Sequence, residues 1–186
     1  MNATTPSLTG PGPGPGPGPE YSFPVSECSC PVLRNNWVNG RYKRLELEAE
    51  EPLTRARAGE FFHLLCPQHG EDKPFLRRPM SVYAARPAER RIEFLYKVTG
   101  PGTRSLAGLR PGDALNAVGP LGRGFTFDPA WRRVLVLARG VGLATMSPLV
   151  TLAGARGTAV SAVLSARGTE DLMREEFVQG TGIEVH

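Results

Sequence analysis

From Tyr21 to about Asp128, hydrophobic residues come in short runs and alternations separated by turn-forming residues. Arg41–Glu48 alternates polar and apolar, the pattern of a strand with one buried face. Glu60–Cys66 is more continuously apolar, and Pro79–Ala84 reads as a further strand. Arg91–Thr99 puts Ile92, Phe94 and Tyr96 on one face, and Ala114–Val118 is a short strand. Gly, Pro and Asp cluster between these runs, at 70–72, 100–102 and 110–113. Short strands at this spacing predict a small antiparallel Greek-key β-barrel over residues 21–128.

The rhythm changes after Asp128. Val134–Ala138 is uninterrupted aliphatic, as in a parallel strand buried on both faces. A glycine-containing turn follows at 139–142, then a helix over Ala144–Ala153 that tolerates Pro148 near its start. Thr158–Ser165 reads as a strand, Glu170–Val178 as a helix and Ile183–Val185 as a third strand. Residues 129–186 are thus expected to form an incomplete parallel βαβαβ layer, half of a doubly wound nucleotide-binding sheet. An incomplete layer predicts an unpaired edge, uncovered apolar faces and poor solubility in isolation. Residues 1–20 stand apart: five Gly-Pro dipeptides occupy Gly10–Pro19, and such a stretch is expected to be a disordered tail.

Composition narrows the classes. The chain has 186 residues, 40% of them hydrophobic and 22% charged, which suits a globular fold and excludes collagen or a coiled coil. No apolar run reaches the roughly 20 residues of a membrane helix, and no secretory leader is visible, so a cytoplasmic location is expected. The net charge of +4 comes from scattered arginines, without the patterns of a nucleic-acid reader. Three cysteines, Cys28, Cys30 and Cys66, do not make a disulfide framework, and one C-x-C pair does not complete a metal site.

Four segments bear chemistry. Arg77-Arg78-Pro79-Met80-Ser81 offers a cation for a phosphate and a hydroxyl for a ring nitrogen. Leu95-Tyr96-Lys97 leads into Gly100-Pro101-Gly102-Thr103, either an ordinary hairpin turn or a backbone cradle for a phosphate. Gly119-Pro120-Leu121-Gly122-Arg123-Gly124-Phe125 is a tight glycine-rich run that ends the barrel. Gly140 and Gly142 lie in a strand–turn–helix that could seat a pyrophosphate, although they hold only part of the dinucleotide fingerprint.

In this order the segments resemble ferredoxin-reductase-type FAD/NAD(P) flavoproteins, and among them most closely the electron-transfer subunits of NAD-linked dihydroorotate dehydrogenase. The likeness runs from about Val25 to the last residue. It implies an NAD(P)H-dependent flavin oxidoreductase whose partner is a catalytic redox subunit or a ferredoxin-like acceptor, with no nucleic acid and no membrane. It further implies that Arg78 meets the FAD phosphates and Ser81 the reactive edge of the isoalloxazine, with Pro79 and Met80 lining the ring. Leu95, Tyr96 and Lys97 would border the ribityl-phosphate, and Gly102 and Thr103 the pyrophosphate. Gly140 and Gly142 would bind the nicotinamide nucleotide, and Arg167 its adenosine side. No residue is assigned a catalytic role. Relatives commonly carry Gly-Gly-Gly-x-Gly-x-x-Pro in the nucleotide turn. Here Arg139 replaces a glycine and Thr145 the proline, and Arg139 either obstructs a nucleotide or helps hold its phosphate. The family's [2Fe–2S] cluster is expected, but its cysteine ligands are absent from this sequence. The resemblance equally covers stand-alone ferredoxin or flavin reductases, subunits of assemblies such as sulfhydrogenase, and a non-catalytic flavin-binding remnant.

Overall fold

A computed structural model describes residues 24–68 and 73–181. The Gly-Pro tail and the strand expected at Ile183–Val185 lie outside the described residues. Seven strands form one antiparallel sheet: β1 (Ser26–Trp37), β2 (Tyr42–Glu48), β3 (Phe61–Leu64), β4 (Arg78–Ser81), β5 (Ala84–Arg86), β6 (Arg91–Lys97) and β7 (Ala114–Leu121). Their order is β4-β3-β7-β1-β2-β6-β5. The sheet curls until its two ends meet, and main-chain bonds from Val82 to Glu60 and from Tyr83 to Glu93 carry the chain across the seam.

β1 was not expected from the sequence. Its inward positions are Cys28, Cys30, Val32 and Asn35, a mixture without a clear apolar period. Residues 26–31 pair with β7 and residues 32–37 with β2. Pro31, which has no N–H to give, sits at the changeover between the two ladders. Phe62, Phe94, Leu45, Leu47 and Ile92 fill the barrel and are essentially inaccessible.

A second unforeseen element, α1 (Pro101–Ala107), occupies the segment read as a turn. Pro101 starts it, and the Thr103 hydroxyl accepts from the Thr99 and Gly100 amides at 2.9 and 3.1 Å. The other end is gripped from the barrel. Asn35 Nδ2 donates to the carbonyls of Leu106 and Leu109, and Lys43 Nζ donates to that of Ala107 at 2.7 Å. Burial lowers the Lys43 pKa.

Beyond the barrel lie β8 (Arg133–Arg139), α2 (Leu143–Ala155), β9 (Ala159–Ser165) and α3 (Arg174–Thr181). β8 and β9 pair in parallel. A second core joins this layer to the barrel: Tyr42, Tyr83 and Leu95 meet Val136, Leu143, Val150 and Phe177. Val134–Ala138 departs from expectation because only one of its faces is covered. Val136 is buried, whereas Leu135 and Leu137 are 63% and 66% exposed. Among the described residues the helices lie on one side of this two-stranded sheet. None of the described helices is long and apolar enough to cross a membrane.

An ionic cluster fastens the two layers. Glu93 on β6 is wholly inaccessible and meets Arg44, Arg86 and Arg91 at 2.9–3.0 Å. Arg44 also reaches Glu46 at 3.3 Å and, on α3, Glu176 at 3.4 Å. Tyr83 Oη donates to the Glu176 carbonyl.

Candidate functional site

The residues picked out by the sequence gather along the seam where β4 faces β6 and the α/β layer docks. At one end, the Arg78 side chain lies on the first turn of α1. A Cβ placed on Gly102 would stand 2.6 Å from Arg78 Nε and 2.9 Å from Cζ, so only glycine leaves room for the guanidinium. Arg78 Nη1 donates to the Leu76 carbonyl at 2.6 Å, which fixes its seat. First-turn amides of a helix have no intrahelical acceptor. A cation and the Gly102 and Thr103 amides therefore converge on one place, a combination suited to a diphosphate. The Arg78 charge is also felt inside the barrel: it partly offsets the upward shift that burial imposes on the Cys66 thiol. A cleft of about 490 Å³ opens beside Cys66, between Pro67, Gln68 and Leu109.

The Thr103 side chain is not free for a ligand, since its oxygen caps α1; what Thr103 can offer is its amide. Tyr96 and Leu95 likewise turn inward. Tyr96 Oη donates to Asn35 Oδ1 at 3.0 Å, and Leu95 belongs to the core between the layers. Tyr96 thus acts at one remove, holding the asparagine that holds α1. β5 pairs only with Arg91–Glu93, so beyond Glu93 that edge of β6 has no strand beside it among the described residues. Leu95 and Tyr96 are buried as whole residues, so half-buried Lys97 is the part of 95–97 nearest the surface. On β4, Pro79 is exposed, while Met80 is half-buried and packs on the barrel core.

At the middle of the seam, Ser81 Oγ and Thr145 Oγ1 share a hydrogen bond of 2.9 Å. This contact joins β4 to the first turn of α2. In the sequence Thr145 stands out only as a departure from the turn of the flavoproteins the chain resembles; this bond gives it a place in the joint.

At the far end, Tyr42 lies against the turn that follows β8. Gly140 has φ +52°, and a Cβ there would come within 3.0 Å of Tyr42 Oη. Lys97 Nζ stands 5.7 Å from the centre of the same ring. Burial raises the Tyr42 pKa, with Asp171 adding to the rise and Arg41 and Arg167 opposing it. Arg167, Gly140 and Lys97 are therefore all neighbours of one phenol that the sequence reading treated only as an apolar strand position. Gly142 faces open space, and Arg139 is exposed at the end of β8. Cys30 and Cys66 are buried free thiols in the barrel, and no group of three metal-ligating side chains occurs among the described residues.

No family model matches the chain. Over 136 residues it is 33% identical to the dihydroorotate dehydrogenase B (NAD(+)) electron transfer subunit of Desulforamulus reducens, a match taking in 73% of this chain and 51% of that protein. An NADH-dependent reduced ferredoxin–NADP oxidoreductase superposes with a TM-score of 0.69 at 25% identity, over 78% of this chain and 51% of that one. An Amycolatopsis cytochrome P450 reductase shares the fold with a TM-score of 0.71 at 24% identity, over 87% of this chain and 50% of that one. The chain spans about half the length of the curated relatives it matches.

Proposed function

We propose that this chain, a relative of the dihydroorotate dehydrogenase B electron transfer subunits with a ferredoxin-reductase-type fold, is the FAD-holding part of a flavin oxidoreductase. It would pass electrons between NAD(P)H and a partner redox subunit. In this reading residues 21–128 hold FAD and residues 129–186 begin the nucleotide-binding layer.

The observation that carries the reading is the seat of Arg78 against Gly102. The guanidinium neutralises a diphosphate that the Gly102 and Thr103 amides also receive. Ser81 presents its hydroxyl toward the reactive edge of the ring, and Met80 and Pro79 border it. Gly140 and Gly142, on either side of Val141 in the turn after β8, would meet the nicotinamide nucleotide, with Arg167 on its adenosine side. When bound, a flavin accepts a hydride and releases electrons singly, so the protein's own work is to bind, orient and keep water out.

The test is FAD titration followed by anaerobic addition of NADH. The protein should retain FAD through desalting, and Arg78→Ala should weaken it by about ten- to a hundredfold, the equivalent of a charge-assisted bond of roughly 1.5–3 kcal/mol. Unchanged retention by Arg78→Ala, or a wild-type chain that takes up no flavin, refutes the reading. Arg139, exposed at the nucleotide turn, supports a second reading in which flavin binds without reduction by NADH. Flavin that stays yellow under NADH in the wild type, but bleaches in Arg139→Gly, would favour it.

A further inference from the structure

A separate cleft of about 520 Å³ lies between the barrel and α2, away from the Arg78 cradle. The size is that of a small-molecule site. Its floor is built of short apolar groups: Ala84 and Ala85 on the barrel side face Leu152 and Ala155 on α2. One wall is aromatic and fixed. Phe125, 38% exposed, donates its amide to the Ala58 carbonyl at 2.7 Å. Its ring lies so close to Gly59 (φ +93°) that a Cβ there would be 3.0 Å from Cδ2. The glycine-rich run 119–124, which the flavin reading leaves without a role, delivers this ring to the cleft.

The rim is cationic. Arg57, Arg86 and Arg156 line the cleft, and no Asp or Glu does. Arg57 Nε donates to Glu60 Oε1 at 2.8 Å from behind. Arg86 Nε donates to Glu93 Oε1 at 2.9 Å, an acid that lies outside the cleft lining. Arg156 sits 5.1 Å above the Phe127 ring and donates to the Phe127 carbonyl, with no carboxylate in ion-pair contact among the described residues. A guanidinium carries five N–H donors, so each of the three has capacity beyond these bonds.

We propose that this cleft binds a small aromatic carboxylate, its ring against Phe125 and the methyl floor and its charge among Arg57, Arg86 and Arg156. Apolar walls alone would accept any flat molecule; three arginines without a lining acid select an anion. The occupant would touch both sides of the joint closed by the Ser81–Thr145 bond, because Val82 follows Ser81 and Pro148 lies one turn beyond Thr145. It would bind the native state and raise its stability by mass action.

The experiment titrates the chain, without flavin, with benzoate, benzamidine and benzyl alcohol by calorimetry. Benzoate should bind one per chain, at least tenfold more tightly than the cationic and neutral molecules of like shape. Arg156→Gln should weaken benzoate about tenfold, one lost charged contact at 1.4 kcal/mol per decade. Ala155→Phe, at an exposed position of α2, should abolish binding by filling the floor. Both variants are checked for an unchanged melting temperature, and Arg156→Gln stands alone if the bulkier change disturbs folding. Benzoate binding no better than benzyl alcohol, or undiminished in both variants, overturns the proposal.

Discussion

Gly102→Ala separates the seat of Arg78 from the stability of the fold. The new methyl would fall 2.6 Å from Arg78 Nε, 2.9 Å from Cζ and 3.1 Å from Cγ. These contacts run along the side chain, so rotating its tip does not relieve them, and the outer half must leave α1. The helix itself does not object: Gly102 has an ordinary φ, and alanine is the better helix former by up to about 1 kcal/mol. The variant should therefore unfold in urea at or slightly above the wild-type midpoint. Its FAD affinity should fall by roughly ten- to a hundredfold, because one charge-assisted contact of about 1.5–3 kcal/mol is displaced. Fluorescence titration of FAD and urea unfolding on one preparation give both numbers. If Gly102→Ala keeps wild-type affinity while Arg78→Ala loses it, the guanidinium reaches its ligand from another seat and the cradle is wrong.

Two further outcomes follow from the bonds described. Thr145→Val keeps the shape but removes the hydroxyl, and should cost about 0.5–1.5 kcal/mol in urea unfolding; a double-mutant cycle with Ser81→Ala should return a coupling of about 1 kcal/mol, and zero coupling would deny the contact. Burial and the neighbouring Cys28 push the Cys30 thiol from 9.0 up to about 11. Because the folded state holds that proton more tightly, its contribution is whole below pH 9 and is lost as pH rises toward 11, at no more than about 1.4 kcal/mol per unit. Cys30→Ala should accordingly flatten the fall in stability over this interval, and an equally steep fall would show that Cys30 is not its source.

The strands with regular alternation or a one-sided apolar face were legible: β2 and β6 lie where the pattern puts them. β1 was hidden because its inward positions include two cysteines and an asparagine, and because Pro31 looks like a break until the strand is seen to change partners there. α1 is only seven residues long, too short to show a helical period, and its Pro-Gly start mimics a turn. The order of the motif segments was readable, and the fold sets two of them side by side, Arg78 against Gly102. The inward turn of Tyr96 and the capping role of Thr103 depend on Asn35 and on α1, neither of which advertises itself. Thr145 matters through a contact with Ser81, 64 residues away, and Tyr42 through one with Gly140 across the two layers, which local pattern does not carry.

The charge cluster centred on Glu93 constrains how this sequence can drift. Removing that carboxylate alone would take from Arg86 the acid it pairs with and leave Arg44 and Arg91 to Glu46, Glu89 and Glu176, and removing one arginine would leave an inaccessible anion short of a partner. Either step costs more than the assembled group contributes, whereas replacing the whole set by apolar side chains need cost little. The intermediate sequences are the unstable ones. These positions, spread over β2, β5, β6 and α3, are therefore free to change only in concert, and a library that randomises them one at a time will report each as fixed.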